Sequence, residues 1–221
     1  MVELEPVKNE GVPKYWRVVG VMMVIYTYAF IDRVILSLLV EPIKTDLGAS
    51  DLQMGLMLGL AFAAFYGFFG IPAGYFVDKV NRRLLIAVAS VAWAVMTILC
   101  GMADSMPELF LGRIGVGIAE AVVAPAAFSL IRDAVPTRSR GLAFSIFAMS
   151  PMIGGAASLI GGAALLRLIK AGAMVGVPLL GSLQPWQCTL VIVGLCGLPF
   201  SLALLLISEP PRRDQAQGGN A

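Results

Sequence analysis

The segment YTYAFIDRVILSLLV, residues 26 to 40, places an aspartate and an arginine side by side in an otherwise apolar run. The run extends back to Val18, which makes it long enough for a membrane-spanning helix of about 20 residues. A charged side chain near the centre of a bilayer costs about 2.5–3.5 kcal/mol even on the mildest scale, so such residues usually face a partner or a wet cavity. The segment therefore predicts a membrane helix whose Asp32 and Arg33 point away from lipid.

The composition of the whole chain also indicates a membrane protein. Of its 221 residues, 58% are hydrophobic and 14% are charged, and the mean hydropathy is +0.86. A soluble domain of this size needs a more highly charged surface. The net charge of +2 and the absence of a dense basic run give no indication of nucleic-acid binding.

Enzymatic chemistry is not expected from this sequence. The three cysteines have no metal-site spacing and there is no histidine, so neither a metal nor another cofactor is predicted. No nucleophile–base set or phosphate-binding loop is recognisable either. Any proton chemistry would have to use carboxylates that respond to their surroundings.

Apolar segments of spanning length predict an all-α membrane protein with a six-helix bundle over residues 17–207, flanked by a polar segment, 1–16, and a polar tail, 208–221. The first span is expected to end before Glu41-Pro42, because a residue that precedes proline disfavours the helical conformation. The six predicted spans are 17–40, 53–77, 84–103, 107–131, 141–166 and 187–207.

Lysine and arginine are distributed unequally between the two sides of the predicted bundle. Of the 16, 11 lie on the side that carries both termini, 3 lie on the other side, and Arg33 and Arg113 lie within spans. Cytoplasmic loops carry the excess of positive charge. We therefore expect a multi-pass protein of the cytoplasmic (inner) cell membrane with both termini in the cytoplasm.

The fourth span carries two further charges, Arg113 and Glu120, in the segment LGRIGVGIAEAVVAPAAF, residues 111 to 128. They are two helical turns apart, so they share a face at about 10 Å separation along the axis. Counting residues from the outer ends of spans 1 and 4 brings Asp32 and Arg113 to similar depths. We predict an ion pair between these two, with Glu120 deeper and within reach of Arg33 or Arg113.

We interpret these four charges as a proton or substrate pathway. The alternative is a structural cluster that joins spans 1 and 4, although buried ion pairs are poor sources of stability. Burial favours a neutral carboxyl group and a nearby arginine favours the carboxylate, so Glu120 is predicted to accept the proton. Arg113 either clamps Glu120 or binds an anionic substrate, since a guanidinium grips carboxylate or phosphate with two hydrogen bonds.

Small and aromatic residues suggest how the helices pack. Small residues at four-residue intervals are expected to let helix backbones approach closely: Gly55 and Gly59, Gly70 and Gly74, and Gly154, Ser158 and Gly162. Several larger residues could line an apolar part of the pathway, with ordinary packing as the alternative: Tyr26, Tyr28, Phe62, Tyr66 and Met149.

The loop GYFVDKVNRR, residues 74 to 83, resembles the signature loop of the major facilitator superfamily, G-x-x-x-D-[RK]-x-G-R-[RK]. Asn81 replaces the second glycine of that pattern, and asparagine tolerates the same left-handed turn. The resemblance implies a loop that helps to hold an inward gate shut. Arg140, in the next cytoplasmic loop, is predicted to belong to the same gate. The matching positions are Gly74, Asp78, Lys79, Arg82 and Arg83.

Other segments resemble the Spinster-like branch of this superfamily: YTYAFIDR, GIAEA, PAAFSLIRD, RSRGLAF and PWQ. The resemblance runs from about Tyr15 to Arg213 and implies secondary active transport by alternating access. It links the charged residues of spans 1 and 4 to proton coupling and to binding of an amphipathic or anionic small molecule. The alternatives are an organic-anion symporter of the same superfamily and a transport-incompetent half that assembles with or regulates another transporter.

The superfamily fold has twelve spans in two halves, and each half consists of two inverted three-helix repeats. This sequence contains six spans, and its tail SEPPRRDQAQGGNA, residues 208 to 221, resembles the start of the linker between halves. The expected partners are the lipid bilayer, a small-molecule substrate, protons, and either a missing C-terminal six-helix half or a second copy of the chain.

Overall fold

Six long apolar helices make up the computed structural model, which describes residues 14–77, 79–174, 176–178 and 180–212. Each helix is long and apolar enough to cross a membrane, and the described residues contain no β-strand, so the predicted fold class is confirmed. The helices are α1 (Lys14–Leu47), α2 (Asp51–Val77), α3 (Arg82–Gly101), α4 (Met106–Ala134), α5 (Thr137–Lys170) and α6 (Pro185–Leu206).

The first helix is longer than predicted. It does not end before Glu41 but continues through Pro42 to Leu47. A proline removes one helical hydrogen bond, and burial of Ile43 in the core keeps the following turn in place. Lys44 lies 3.3 Å from Glu41 and 2.5 Å from Asp51, so ion pairs also connect this extension to the start of α2.

Four of the helices contain local irregularities. α2 has a π-helical segment, Leu56–Ala61, between Asp51–Gly55 and Phe62–Val77. α4 is divided into Met106–Glu120 and Val123–Ala134. α5 begins with a 3₁₀ turn, Thr137–Ser139, and continues as two α-helical parts, Arg140–Ala148 and Ser150–Lys170. α6 consists of Pro185–Leu202 and a 3₁₀ turn, Ala203–Leu206. A separate 3₁₀ turn, Leu180–Ser182, precedes α6.

Prolines explain the breaks in α4 and α5. Pro125 has no backbone N–H and so cannot donate a hydrogen bond to the carbonyl group of Ala121, four residues earlier. The first α-helical part of α4 ends immediately before Ala121. Pro151 likewise leaves the carbonyl group of Phe147 without its usual donor, and the Ser150 hydroxyl donates to that oxygen at 2.7 Å. A neighbouring hydroxyl thus replaces the missing backbone donor, because a membrane interior contains no water that could do so.

The helix packing has the symmetry of two three-helix repeats. α3 packs along α6, α1 packs along α5, α4 packs on α2, and the pairs α1–α6 and α3–α4 are also in contact. Exchanging α1, α2 and α3 for α4, α5 and α6 converts this set of pairs into itself. Because each repeat has three spans, the second starts on the opposite side of the membrane and is inverted.

Small residues allow α5 to lie close against α1, as predicted. Gly154 packs on the backbone of Thr27, and the Ser158 hydroxyl donates to the carbonyl oxygen of Ile31 at 3.0 Å. Gly162 continues the same contact line one turn further on. Gly55, Gly59, Gly70 and Gly74 make no such approach within this six-helix unit, because an added Cβ there would meet no atom within 4 Å among the described residues.

We expect Gly154→Ala to destabilise the bundle by about 1–3 kcal/mol, the usual cost of overpacking. An added Cβ would lie 2.7 Å from the Cβ of Phe30 and would also overlap the Thr27 carbonyl oxygen. Gly155→Ala is the matched control, because a Cβ there meets nothing within 4 Å. Unfolding in mixed micelles of increasing sodium dodecyl sulfate measures both, and equal midpoints would contradict the prediction.

Candidate functional site

The four charges predicted from the sequence meet between α1 and α4, the first helices of the two repeats. Arg33 Nη2 donates to Glu120 Oε2 at 2.6 Å, and Arg113 Nη1 lies 3.5 Å from Asp32 Oδ2. The predicted pair between Asp32 and Arg113 is therefore present. Glu120 pairs with Arg33, one of its two predicted partners, and a clamp of Arg113 on Glu120 is not observed.

Three of these residues are interior and one reaches the surface. Asp32 and Glu120 are each 1% exposed and Arg113 is 2% exposed, whereas the side chain of Arg33 is 24% exposed. Arg33 is therefore the member of the cluster that a molecule outside this six-helix unit contacts first.

Thr97 on α3 is a further member of the cluster, and its hydroxyl donates to Asp32 Oδ1 at 2.7 Å. The sequence pattern does not single out this residue. Threonine in a helix commonly donates to the carbonyl oxygen four residues earlier, as Thr189 does with Pro185. Only the packing of α3 against α1 reveals the different partner of Thr97.

The two carboxylates are unequally satisfied. Asp32 has a partner on each oxygen, Thr97 on one and Arg113 on the other. Glu120 Oε1 is buried and has no hydrogen-bond partner among the described residues, and the same holds for Nε of Arg33 and of Arg113. The cluster therefore offers one open acceptor, on Glu120, and two open donors.

Aromatic rings surround the exposed guanidinium group. The guanidinium carbon of Arg33 lies 4.6 Å from the ring centre of Phe30, 4.3 Å from that of Phe62 and 4.9 Å from that of Tyr66. These distances are within the range of cation–π attraction. Tyr26 lies beside them, with its ring 5.2 Å from Phe30.

Two of the predicted lining residues lie elsewhere. Tyr28 is buried, donates to the Val193 carbonyl oxygen and stacks on Phe200 at 4.5 Å, so it packs between α1 and α6. Met149 is half-exposed on α5 at the junction of its two α-helical parts. Tyr26, Phe62 and Tyr66 are thus the predicted lining residues that gather around Arg33.

A second buried cluster centres on Arg82 of the predicted gating loop. Its Nη1 donates to Asp133 at 2.5 Å and to Ser129 at 2.9 Å, both on α4. Its Nε donates to Glu209, beyond α6, at 2.7 Å. This single buried side chain therefore connects α3, α4 and the segment after α6.

The segment after α6 is attached to the α2–α3 loop from both sides. Glu209 accepts a hydrogen bond from the backbone N–H of Arg83 at 3.0 Å. Arg212 donates to the carbonyl oxygens of Val77 at 3.1 Å and Val80 at 2.7 Å. The sequence pattern indicates a linker at this position and does not indicate that Glu209 and Arg212 fix it to the loop.

Two other predicted gating residues, Lys79 and Arg140, have hydrogen-bond partners outside the Arg82 cluster. Lys79 donates to the hydroxyl of Tyr75, and Arg140 Nε donates at 3.2 Å to the carbonyl oxygen of Val135, in the loop that precedes α5. Gly74 has an open face, and Asp78 lies outside the described residues.

Comparison with known proteins places this arrangement in a family. The model of the Major Facilitator Superfamily matches residues 22–221, which is nearly the whole chain. The chain belongs to the major facilitator superfamily. Its six spans therefore make it a multi-pass membrane protein.

Named relatives of this major facilitator chain are transporters. It is 30% identical over 207 residues to an MFS-type efflux pump of Mycolicibacterium smegmatis, covering 93% of this chain and 44% of the pump. It is 26% identical over 209 residues to a D-galactonate transporter of Escherichia coli O6:H1, covering 92% of this chain and 44% of that transporter. These names agree with the expectation that the chain is not an enzyme.

A solved structure agrees with the branch predicted from the sequence. The major facilitator chain superimposes with a TM-score of 0.84 on a bacterial homologue of the human lysosomal transporter Spinster in an inward-facing, occupied conformation. The two are 36% identical, and the match covers 92% of this chain and 46% of that one. The chain thus spans about half the length of the relatives it matches.

Proposed function

We propose that this chain is the N-terminal half of a proton-coupled secondary transporter of the cytoplasmic membrane, with both termini in the cytoplasm. It moves an amphipathic or anionic small molecule by alternating access. The observation that carries the proposal is the ion pair between Arg33 and Glu120, in which a buried carboxylate with one open oxygen holds a partly exposed guanidinium group. Ionisable residues so placed within a membrane bundle usually serve transport.

Glu120 is the proton acceptor in this proposal. Its Oε1 has no partner among the described residues, so a proton can add there without breaking a hydrogen bond. Asp32 has no such free oxygen, because Thr97 and Arg113 occupy both. Protonation of Glu120 removes the negative charge that holds Arg33 and releases its guanidinium group.

Arg33, and not Arg113, is the group that we assign to an anionic substrate. It is the exposed arginine of the cluster, and its planar guanidinium group suits a carboxylate or phosphate. The rings of Phe62 and Tyr66 beside it supply an apolar surface. An anionic head and an apolar body would find complementary groups within one side-chain length of each other.

A second six-helix unit covers Arg33 in the working transporter, either as the C-terminal half or as a second copy. The cost of turning an arginine toward hydrocarbon supports this part of the proposal. The open faces of Gly55, Gly59, Gly70 and Gly74 on α2 also support it, since small residues favour close helix packing.

We expect Glu120→Gln to remove the proton-binding site that titrates within the bundle. In lipid nanodiscs, infrared difference spectra between acidic and alkaline pH should contain a carboxylic-acid band from Glu120 in the wild-type chain, and this variant should lack that one component among the bands of the 14 side-chain carboxyl groups. Asp32→Asn is the matched control and should retain the band. Persistence of the band in Glu120→Gln, or its loss in Asp32→Asn, would contradict the assignment, and this measurement needs neither a substrate nor a second half.

An organic-anion symporter is a second candidate, favoured by the similarity to a D-galactonate transporter and by the exposed arginine. D-galactonate uptake into proteoliposomes under an inward proton gradient is the discriminating measurement. Uptake supports the symporter, and extrusion against the gradient supports an exporter. A transport-incompetent regulatory half would tolerate Glu120→Gln with the activity of its partner unchanged.

A further inference from the structure

Phe62 of α2 lies between the two ion pairs. The guanidinium carbon of Arg33 is 4.3 Å from its ring centre, and that of Arg113 is 5.4 Å from the same centre. A cation is attracted to an aromatic ring within about 6 Å, so this one ring interacts with both arginines. The ring is buried in the core, and it stacks on Tyr66 one turn later at 5.4 Å.

The ring covers the strip of α4 that separates Arg113 from Glu120. Gly117 lies four residues after Arg113 and three residues before Glu120, so all three share a helix face. A Cβ added at Gly117 would lie 3.0 Å from the Phe62 carbonyl oxygen and 3.5 Å from its ring carbon Cδ2. The absence of a side chain at position 117 is therefore what lets Phe62 occupy this strip.

The π-helical segment Leu56–Ala61 ends immediately before Phe62. Such a segment accommodates one extra residue, which rotates everything after it by about 100° relative to a continuous α-helix. π-helical turns are rare, and they occur frequently at functional sites. The irregularity in α2 thus determines which residue faces the two ion pairs.

We propose that Phe62 is a positioning residue that keeps the two ion pairs separate. Its ring blocks the path by which Arg113 could reach Glu120, so protonation of Glu120 releases Arg33 alone. The coupling role of this barrier rests on the function proposed above, whereas the barrier itself is a matter of geometry and can be tested separately.

Removal of the ring changes which charges meet. Arg113 and Glu120 are about 10 Å apart along one helix face, a gap that two long side chains leaning toward each other can bridge. Glu120 would then have two cations, which favours its carboxylate form, and Asp32 would lose its arginine. The charged or titratable groups around the two carboxylates are Tyr26, Tyr28 and Arg33 on α1, Tyr66 on α2, Cys100 on α3 and Arg113 on α4.

The first test follows the arginine side chains of the ¹⁵N-arginine-labelled chain in nanodiscs by NMR. In the wild-type background, Glu120→Gln should shift the guanidinium signals of Arg33 and leave those of Arg113 unchanged. In a Phe62→Leu background, the same substitution should shift the signals of both arginines. An unchanged Arg113 in the Phe62→Leu background would overturn the proposal, and this readout does not require Glu120 to be a proton acceptor.

The second test follows the infrared carboxyl titration. Phe62→Leu should lower the proton affinity of Glu120 by at least about tenfold, the smaller end of the effect of an adjacent arginine on a carboxyl group. Phe62→Tyr keeps the ring and should titrate like the wild-type chain. The exposed Phe68 on the same helix provides the matched control, since Phe68→Leu should change nothing.

Gly117→Ala is an independent variant in case Phe62→Leu does not fold. Its added methyl group displaces the α2 backbone at Phe62 and should shift the Glu120 titration in the same direction as Phe62→Leu. A wild-type titration in a folded Phe62→Leu or Gly117→Ala chain would overturn the role of the barrier in coupling. Loss of the Glu120 assignment itself would appear differently, as an infrared band that Glu120→Gln fails to remove.

Discussion

Replacement of Arg33 by glutamine is expected to raise the proton affinity of Glu120 at least about a hundredfold and to abolish the proposed proton-coupled transport. Glu120 is almost completely buried, and Arg33 is its one ion-pair partner among the described residues. A buried carboxylate without a partner takes up a proton instead of remaining charged. Breaking a buried ion pair costs about 3–5 kcal/mol, so the proton affinity of Glu120 should rise at least about a hundredfold.

The infrared carboxyl band measures this effect directly, because in Arg33→Gln it should persist to a pH at least about two units higher than in the wild-type chain. Arg17→Gln is the matched control, since Arg17 is an exposed arginine near the start of the same helix. The expected result there is a wild-type titration. If Arg33→Gln also titrated like the wild-type chain, another cation would have to serve Glu120, and the assignment of Arg33 would be wrong.

Replacement of Arg82 by glutamine is expected to lower the free energy of unfolding by about 3–5 kcal/mol, the range for removing one partner of a buried charge pair. Arg82 donates to Asp133 and Ser129 on α4 and to Glu209 beyond α6. Glutamine is shorter and uncharged, so it cannot maintain these contacts together. The segment after α6 should also be held less tightly, because Glu209 loses its buried cation and keeps only backbone donors among the described residues.

Chemical unfolding in mixed micelles and the rate of proteolysis after residue 207 together measure this prediction. The adjacent Arg83→Gln is the matched control, because the described contact of Arg83 with Glu209 uses its backbone N–H and not its side chain. We expect less than about 1 kcal/mol of change there, as for most surface charges. Equal effects of the two substitutions would contradict the prediction, because the buried contacts of Arg82 would then add nothing to the free energy of unfolding beyond the contribution of Arg83.

Helix geometry and the scarcity of charge in lipid were enough to predict much of this protein from its sequence. Six apolar segments of sufficient length define the bundle, because a membrane helix must satisfy its backbone internally. The pair between Asp32 and Arg113 follows from counting turns from the ends of two antiparallel spans. Charged residues inside apolar segments are costly in lipid, so their positions in the sequence predict which helix faces point into the bundle.

Some features depend on which of several possible hydrogen-bond partners a side chain binds, and these features were not predictable from the sequence. Thr97 could have bonded within its own helix, and only the packing of α3 against α1 directs it to Asp32. Glu209 lies in a polar tail where most charges are solvated, and its attachment depends on N–H groups at the start of the distant helix α3. The continuation of α1 through Pro42 depends on tertiary contacts, which outweigh the local preference of an X-Pro sequence.

When all four residues of the ion pairs are ionised, Asp32 and Glu120 supply two negative charges and Arg33 and Arg113 supply two positive charges, so the site is electrically balanced. Uptake of one proton leaves an excess of one positive charge in a medium of low polarity, and one bound monoanion restores the balance. Proton and anion should therefore assist each other's binding. Thermodynamic reciprocity requires the factor by which acid tightens anion binding to equal the factor by which the anion tightens proton binding.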